Sequence, residues 1–255
     1  MLNKITILLI LLIIQFSLLA QQKTAESTEL YSPVPPVVTP GDCTKPPSDA
    51  IILFDGTHFD HWVSENGSPV AWSLEEGCMT IKPGSGNIKT KKDFGDCQLH
   101  VEWRCPSIAG KRDIVGEQGF GNSGILLQGR YELQVFDSYN YPDYHNNKPI
   151  YTNGQAGSIY KQITPLVNAC RKPGEWQTYD IIYQAPRFSD NGRVAIPARI
   201  TVIHNGILII NNAEIQGSMS YIGLPEYKAH GLKEPLSLQE HGDEVSYRNI
   251  WIREL

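Results

Sequence analysis

Residues 97–104 (CQLHVEWR) place Leu99, Val101 and Trp103 alternately with Gln98, His100, Glu102 and Arg104. A period of two is the pattern of a half-buried β-strand. Tyr131–Phe136 repeats it, with Tyr131, Leu133 and Val135 on the core face and Glu132, Gln134 and Phe136 on the other. Shorter apolar runs at Ile51–Phe54, Cys78–Ile81, Ile125–Leu127 and Ala156–Lys161 predict further strands. So do Gln177–Gln184, Ala198–His204, Ile207–Ile210, Leu236–His241 and Val245–Glu254. Asn205-Gly206 and Gln128-Gly129-Arg130 are hairpin connections between such runs. No segment sustains a 3.6-residue period, and no internal repeat is present. Many short strands separated by turn residues predict an all-β sandwich or jelly roll.

The alternation is absent from the first 48 residues. Residues 1–20 begin with Lys4 and continue as an almost unbroken apolar run to Ala20, the form of a secretory signal peptide. Leu18 is an imperfect cleavage residue, so a retained membrane anchor is the alternative. Residues 21–48 are rich in Pro, Ser, Thr and Glu, a composition that forms a tether rather than a core. The expected organisation is a signal peptide (1–20), a Pro-rich linker (21–48) and one domain (49–255), exported to the periplasm or cell surface. Export permits disulfides, yet five cysteines leave at least one thiol free. The expectation is buried thiols with at most one or two bridges. Twenty-two basic against 27 acidic side chains, with no basic stripe, exclude a nucleic-acid partner.

Candidate chemistry gathers where strand faces turn polar. Glu132 and Gln134 share one face, and Asp137 follows at the strand end. Ser107–Gly121 and Ser138–Asn153 read as long loops, the second dense in tyrosine; loops of this length in compact domains often carry function. Arg248 is read as the partner of a core carboxylate, and His58 and His61 as solvated turn residues.

Several motifs coincide in order over residues 50–255. They are Leu53-Phe54-Asp55-Gly56 with Trp62, the DFGDCQLHVEWR segment, Asn122-Ser123-Gly124-Ile125, and Tyr131-Glu132-Leu133-Gln134 with Asp137. Gly157-Ser158-Ile159-Tyr160, Gly174-Glu175-Trp176, Asn205-Gly206, Leu238-Gln239-Glu240-His241-Gly242 and Arg248-Asn249-Ile250 follow. In this series the chain resembles the 3-keto-disaccharide hydrolase family. The resemblance implies a concanavalin-A-like jelly roll of two curved antiparallel sheets, a carbohydrate substrate oxidised at C3, and a sugar 3-dehydrogenase acting upstream.

A C3 ketone acidifies the C2 proton, so a base removes it, the C1 leaving group departs, and water adds to the enone. That route needs proton carriers and groups that hold hydroxyls or the developing oxyanion. Glu132, Asp137 and His241 are the candidate catalytic residues; Arg104, Asn122, Gln134, Tyr160 and Gln239 are the candidate substrate-binding residues. No cofactor is specified, although Glu132, Asp137 and His241 are types a divalent metal accepts.

Glu132-x-Gln134-x-x-Asp137 also resembles the E-x-D-x-x-E signature of laminarinase-type hydrolases, with Gln and Asp replacing its second and third acids. A retaining pair needs about 5–5.5 Å between carboxylates. Five residues of strand span about 16 Å and end on opposite faces. A lectin-like binding module relying on Trp103 and the tyrosines is a reading of another class, and a tethering domain is a third.

Overall fold

The computed structural model describes residues 3, 25–42, 45–107, 120–139, 144–145, 148–149 and 151–255. The expected signal peptide, Cys43 and most of the 107–121 loop lie outside the described residues. Among the described residues no helix is long and apolar enough to cross a membrane. The chain separates into two units, residues 1–39 and 40–255. The first shows an exposed chain with a 3-10 turn at Ala25–Thr28. The second contains the whole of the expected domain, residues 49–255. Its early part is tied down where the Arg253 guanidinium donates to both Asp49 carboxylate oxygens, at 2.8 and 2.7 Å.

Two antiparallel sheets enclose the core of the second unit. The larger has eight strands. Its order is β15 (Ile207–Glu214), β14 (Arg199–His204), β11 (Gln177–Gln184), β6 (Cys97–Arg104), β17 (Ser246–Glu254), β4 (Cys78–Thr80) and β3 (Ser73–Glu75). The eighth, β1 (Ile51–Phe54), pairs with β17. The smaller sheet runs β2 (Trp62–Ser64), β5 (Ile88–Phe94), β16 (Glu234–Leu238), β7 (Ser123–Leu127) and β8 (Tyr131–Val135). Two short hairpins complete the strands: β9 (Tyr144–His145) with β10 (Lys148–Pro149), and β12 (Arg187–Phe188) with β13 (Val194–Ile196). This is the jelly-roll sandwich that the alternation predicts.

The core follows from the same alternation. Leu99, Val101 and Trp103 of β6 and Tyr179, Ile181 and Tyr183 of β11 are buried, facing Tyr131, Leu133 and Val135 of β8. Each large apolar side chain so buried contributes about 1.5–3 kcal/mol. Trp103 is 1 % exposed and packs against Tyr179 and His204. It is therefore a core residue and not the sugar platform that a lectin reading needs. Cys78, Cys97, Cys105 and Cys170 are free thiols, and burial pushes Cys97 and Cys170 up to about 12.

Other expectations are corrected in detail. Ala156–Lys161 is not a strand but a series of turns, because Gly157 and Lys161 adopt left-handed φ values of 80° and 57°. Only Ile159 within it forms bridges, to Leu133 and Ile163. This segment nevertheless occupies the free edge of β8: Gln134 N–H donates to Ser158 O, and Tyr160 N–H to Glu132 O. It thus protects an edge that would otherwise expose unpaired backbone groups. The Leu236–His241 run ends as a strand at Leu238, so His241 lies in the turn beyond β16.

Candidate active site

The outer face of the smaller sheet holds a cavity of about 170 Å³. Strand β8 supplies Glu132 and Gln134, whose side chains share a face by the period of two, and Phe136 follows them at the strand end. Asn122, just before β7, Gln239 and His241, just after β16, and Tyr160, from the edge-covering turns, complete the polar lining. Met219 and Tyr221 close one side from the segment after β15.

Local sequence explains how these groups come together. Gly124 lies between β8 and β16 in the sheet, and a Cβ there would fall 2.7 Å from Glu132 Oε1. Glycine leaves the room that the carboxyl occupies. Gly124 O also accepts from Gln239 N–H at 2.9 Å. Behind it, the Ser123 hydroxyl donates to Gln239 O at 2.5 Å and contacts the Tyr247 hydroxyl at 2.6 Å. The backbone of Gln239 is thereby fixed from both sides.

Glu132 is 3 % exposed, and burial alone raises its pKa to about 7. Gln134 is equally buried and spends its amide hydrogens on Asn122 Oδ1, Ser123 O and Val135 O. Its own Oε1 is buried without a partner among the described residues, and so is Gln239 Oε1. Two unpaired amide oxygens beside a buried carboxyl are costly unless a ligand supplies donors. The cavity therefore fits a ligand rich in hydroxyl groups.

A polar chain leads from this floor to the rim. Because Asn122 Oδ1 accepts from Gln134, its amide nitrogen turns to His241 Nδ1, 3.3 Å away. With Nδ1 accepting, the proton of the neutral imidazole sits on Nε2. Asp243 Oδ2 accepts from Asn122 N–H at 2.8 Å; burial raises its pKa, against the hydrogen bond from Asn122. The Tyr160 hydroxyl lies 3.1 Å from that of Tyr151, and burial raises both phenols.

Residues 49–253 match the family described as the 3-keto-alpha-glucoside-1,2-lyase-like domain. The chain belongs to this family. A solved structure from Parabacteroides distasonis ATCC 8503, provisionally described as a glycosyl hydrolase, is 46% identical with a TM-score of 0.82. That match covers 92% of this chain and 98% of the other. A second Parabacteroides distasonis ATCC 8503 structure with the same description is 22% identical with a TM-score of 0.60, over 81% and 94% of the two chains, and shares the fold. A 3-keto-disaccharide hydrolase of Bacteroides thetaiotaomicron is 23% identical over 84% of this chain and 82% of its own length. Membership of this family supports a glycosidase-class activity on a carbohydrate.

Of the residues named from sequence, Glu132, His241, Asn122, Gln134, Tyr160 and Gln239 meet in the one cavity. Asp137 and Arg104 do not. Asp137 lies beyond the end of β8, where its Oδ1 accepts from Tyr139 N–H. Arg104 points from the outer face of β6 onto the Trp176 ring, 4.7 Å from its centroid. Among the described residues no group of three His, Cys, Asp or Glu side chains is arranged to hold a metal, so the trio put forward as ligands is not assembled. The sequence places Phe136 on the face of Glu132 and Gln134 without marking it for the site, and it does not single out Met219, Tyr221 or Asp243. The last sits two residues beyond His241, and that spacing was its one available signal.

Proposed function

We propose that the chain cleaves 3-keto-glycosides by proton abstraction at C2, elimination at C1 and hydration. The observation that carries this reading is the isolated buried carboxyl of Glu132 beside two unpaired amide oxygens, in a cavity of a size for one sugar ring. A carboxyl that titrates near neutrality is suited to take a proton and return it. Gln134 and Gln239 accept from ring hydroxyls, a role for acceptors and not for oxyanion donors. The Tyr160 hydroxyl donates to the enolate oxygen at C3. His241 Nε2–H donates a hydrogen bond to the departing O1, its ring oriented by Asn122.

The steps balance. Glu132 takes the C2 proton while its electron pair moves into the C2–C3 bond and onto oxygen. The enolate then expels O1, which takes a proton from water as it leaves. The hydroxide so formed adds to C1, and Glu132, whose carboxyl hydrogen exchanges with solvent, returns a proton to C2, giving 3-keto-glucose and the free leaving group. The family's 1,2-lyase description supports elimination across these two carbons. A two-carboxylate hydrolysis lacks support, because Glu132 is the one carboxylate lining the cavity among the described residues. The apolar first twenty residues and the Pro-rich stretch after them support action at the periplasm or cell surface. There, an upstream sugar 3-dehydrogenase supplies the oxidised substrate.

The test is incubation of the purified domain with 3-keto-trehalose and with unoxidised trehalose, beside Glu132→Gln. Cleavage of the oxidised sugar alone, reduced by at least about a hundredfold in the variant, is the expected result. Cleavage of both sugars at similar rates, or full activity in the variant, would overturn the assignment.

A further inference from the structure

Tyr221 is 65% exposed, yet Lys161 contacts both its backbone and its ring. Its carbonyl accepts from Lys161 Nζ at 2.6 Å, and the same ammonium lies 4.2 Å from the centre of its ring. The Tyr151 and Tyr160 rings flank that ammonium at 5.5 and 5.7 Å. Lys161 reaches this position from a left-handed backbone conformation, which a lysine adopts at a cost. The segment on the N-terminal side of Tyr221 is equally secured. Gln162 binds both Gln216 N–H and Gly217 O, Ser218 N–H donates to Glu226 O, and Met219 N–H donates to Arg130 O at 2.8 Å.

An exposed ring fixed at this many points is not a solvated loop residue. It lines the same cavity as Glu132 and His241, and that cavity accommodates a single ring. The part of the substrate that leaves must therefore lie outside, at the rim. An aromatic ring there offers the apolar hydrogens of a second ring a surface to stack on, and the cation on one side fixes its orientation.

We propose that Tyr221, held by Lys161, is a leaving-group subsite that selects substrates whose aglycone is itself a ring. The proposal rests on the 3-keto-glycoside reading above and names the specificity of that same site. The ring is an aryl group or a second sugar, and the two are separated by experiment.

The test compares kcat/KM of the wild-type chain, Tyr221→Ala, Tyr221→Phe and Lys161→Met on three substrates: 3-keto-trehalose, phenyl 3-keto-α-glucoside and methyl 3-keto-α-glucoside. Each variant is compared with wild type on the same substrate, so differences in leaving-group chemistry cancel. Tyr221→Ala is expected to lower kcat/KM on a ring-bearing substrate roughly fivefold to tenfold more than on the methyl glycoside. Tyr221→Phe is expected to restore the loss, and Lys161→Met to reproduce part of it. A loss confined to the phenyl or to the trehalose substrate supports the subsite and identifies its ring. An equal loss on all three substrates, or none, would overturn the subsite while leaving the keto-glycoside reading intact. No cleavage of any of the three by wild type would overturn both together.

Discussion

Glu132 burdens the fold whenever it is ionised, because its burial has no compensating partner in the electrostatics of the site. Its pKa is raised from the ordinary 4.5 to about 7, which fixes the sign of the pH dependence. Below pH 4.5 the carboxyl is protonated in both folded and unfolded chains and costs nothing. Between 4.5 and 7 the unfolded chain ionises first, and above about 7 the full penalty is present. Glu132→Gln is therefore expected to be more stable than wild type by roughly 3 kcal/mol at pH 8 and equal to it at pH 4, as measured by denaturant unfolding. Equal stability at both pH values would contradict the isolated carboxyl. The face that carries Glu132 and Gln134 was legible from alternation alone. Asn122, Gln239 and His241 came from motif order, since nothing in their spacing shows that two separate strand ends converge. Met219 and Tyr221 were illegible: they sit in a segment with no period, placed by tertiary hydrogen bonds from Lys161 and Gln162 and by the bond Met219 N–H donates to Arg130 O.

Among the elements, β6, β11 and β17 bear a polar network on the face of the larger sheet that turns away from the core. His100 Nδ1 contacts Asp180 at 2.7 Å, and its ring stacks on Trp251. Glu102 accepts from Arg248 Nε at 2.6 Å and from Asn249 at 2.8 Å. Arg248 thus pairs with a carboxylate, as its sequence reading expects, while its guanidinium lies 4.0 Å from the Trp176 ring centre. Burial pulls the His100 pKa down, but the hydrogen bond to Asp180 and the Glu102 carboxylate 3.8 Å from Nε2 outweigh it and raise it to about 9. Burial likewise opposes ionisation of Glu102, and the nearby His100 ring with the bonds from Asn249 and Arg248 brings it to about 2. The His100 contribution is fully present below about 6.5 and is lost as pH rises through about 9. His100→Asn is expected to flatten the fall in stability over that window by about 1–3 kcal/mol, the lower end reflecting the half-exposed Asp180 partner. An unchanged pH dependence would show that His100 is neutral there. These strands were legible because one face is buried and the other is not. The turns at Ala156–Lys161 were misread because their apolar residues cover a sheet edge, which gives composition without period.

At the scale of the whole molecule, the sandwich positions a one-ring cavity on the outside of its smaller sheet, with the catalytic candidates at the ends of β7, β8 and β16. The fold class follows from strand alternation, and the family match over residues 49–253 agrees with it. Residues 40–48 are Pro-rich like the stretch before them and group with the compact unit, whose early part Asp49 and Arg253 secure. The central claim is that C2 loses and regains a proton during cleavage. Incubation with 3-keto-trehalose in D2O, followed by NMR of the released 3-keto-glucose, measures this directly. The account predicts deuterium at C2 beyond the level that authentic 3-keto-glucose acquires under the same conditions. Cleavage with no deuterium at C2 above that control would contradict elimination and leave direct hydrolysis at C1.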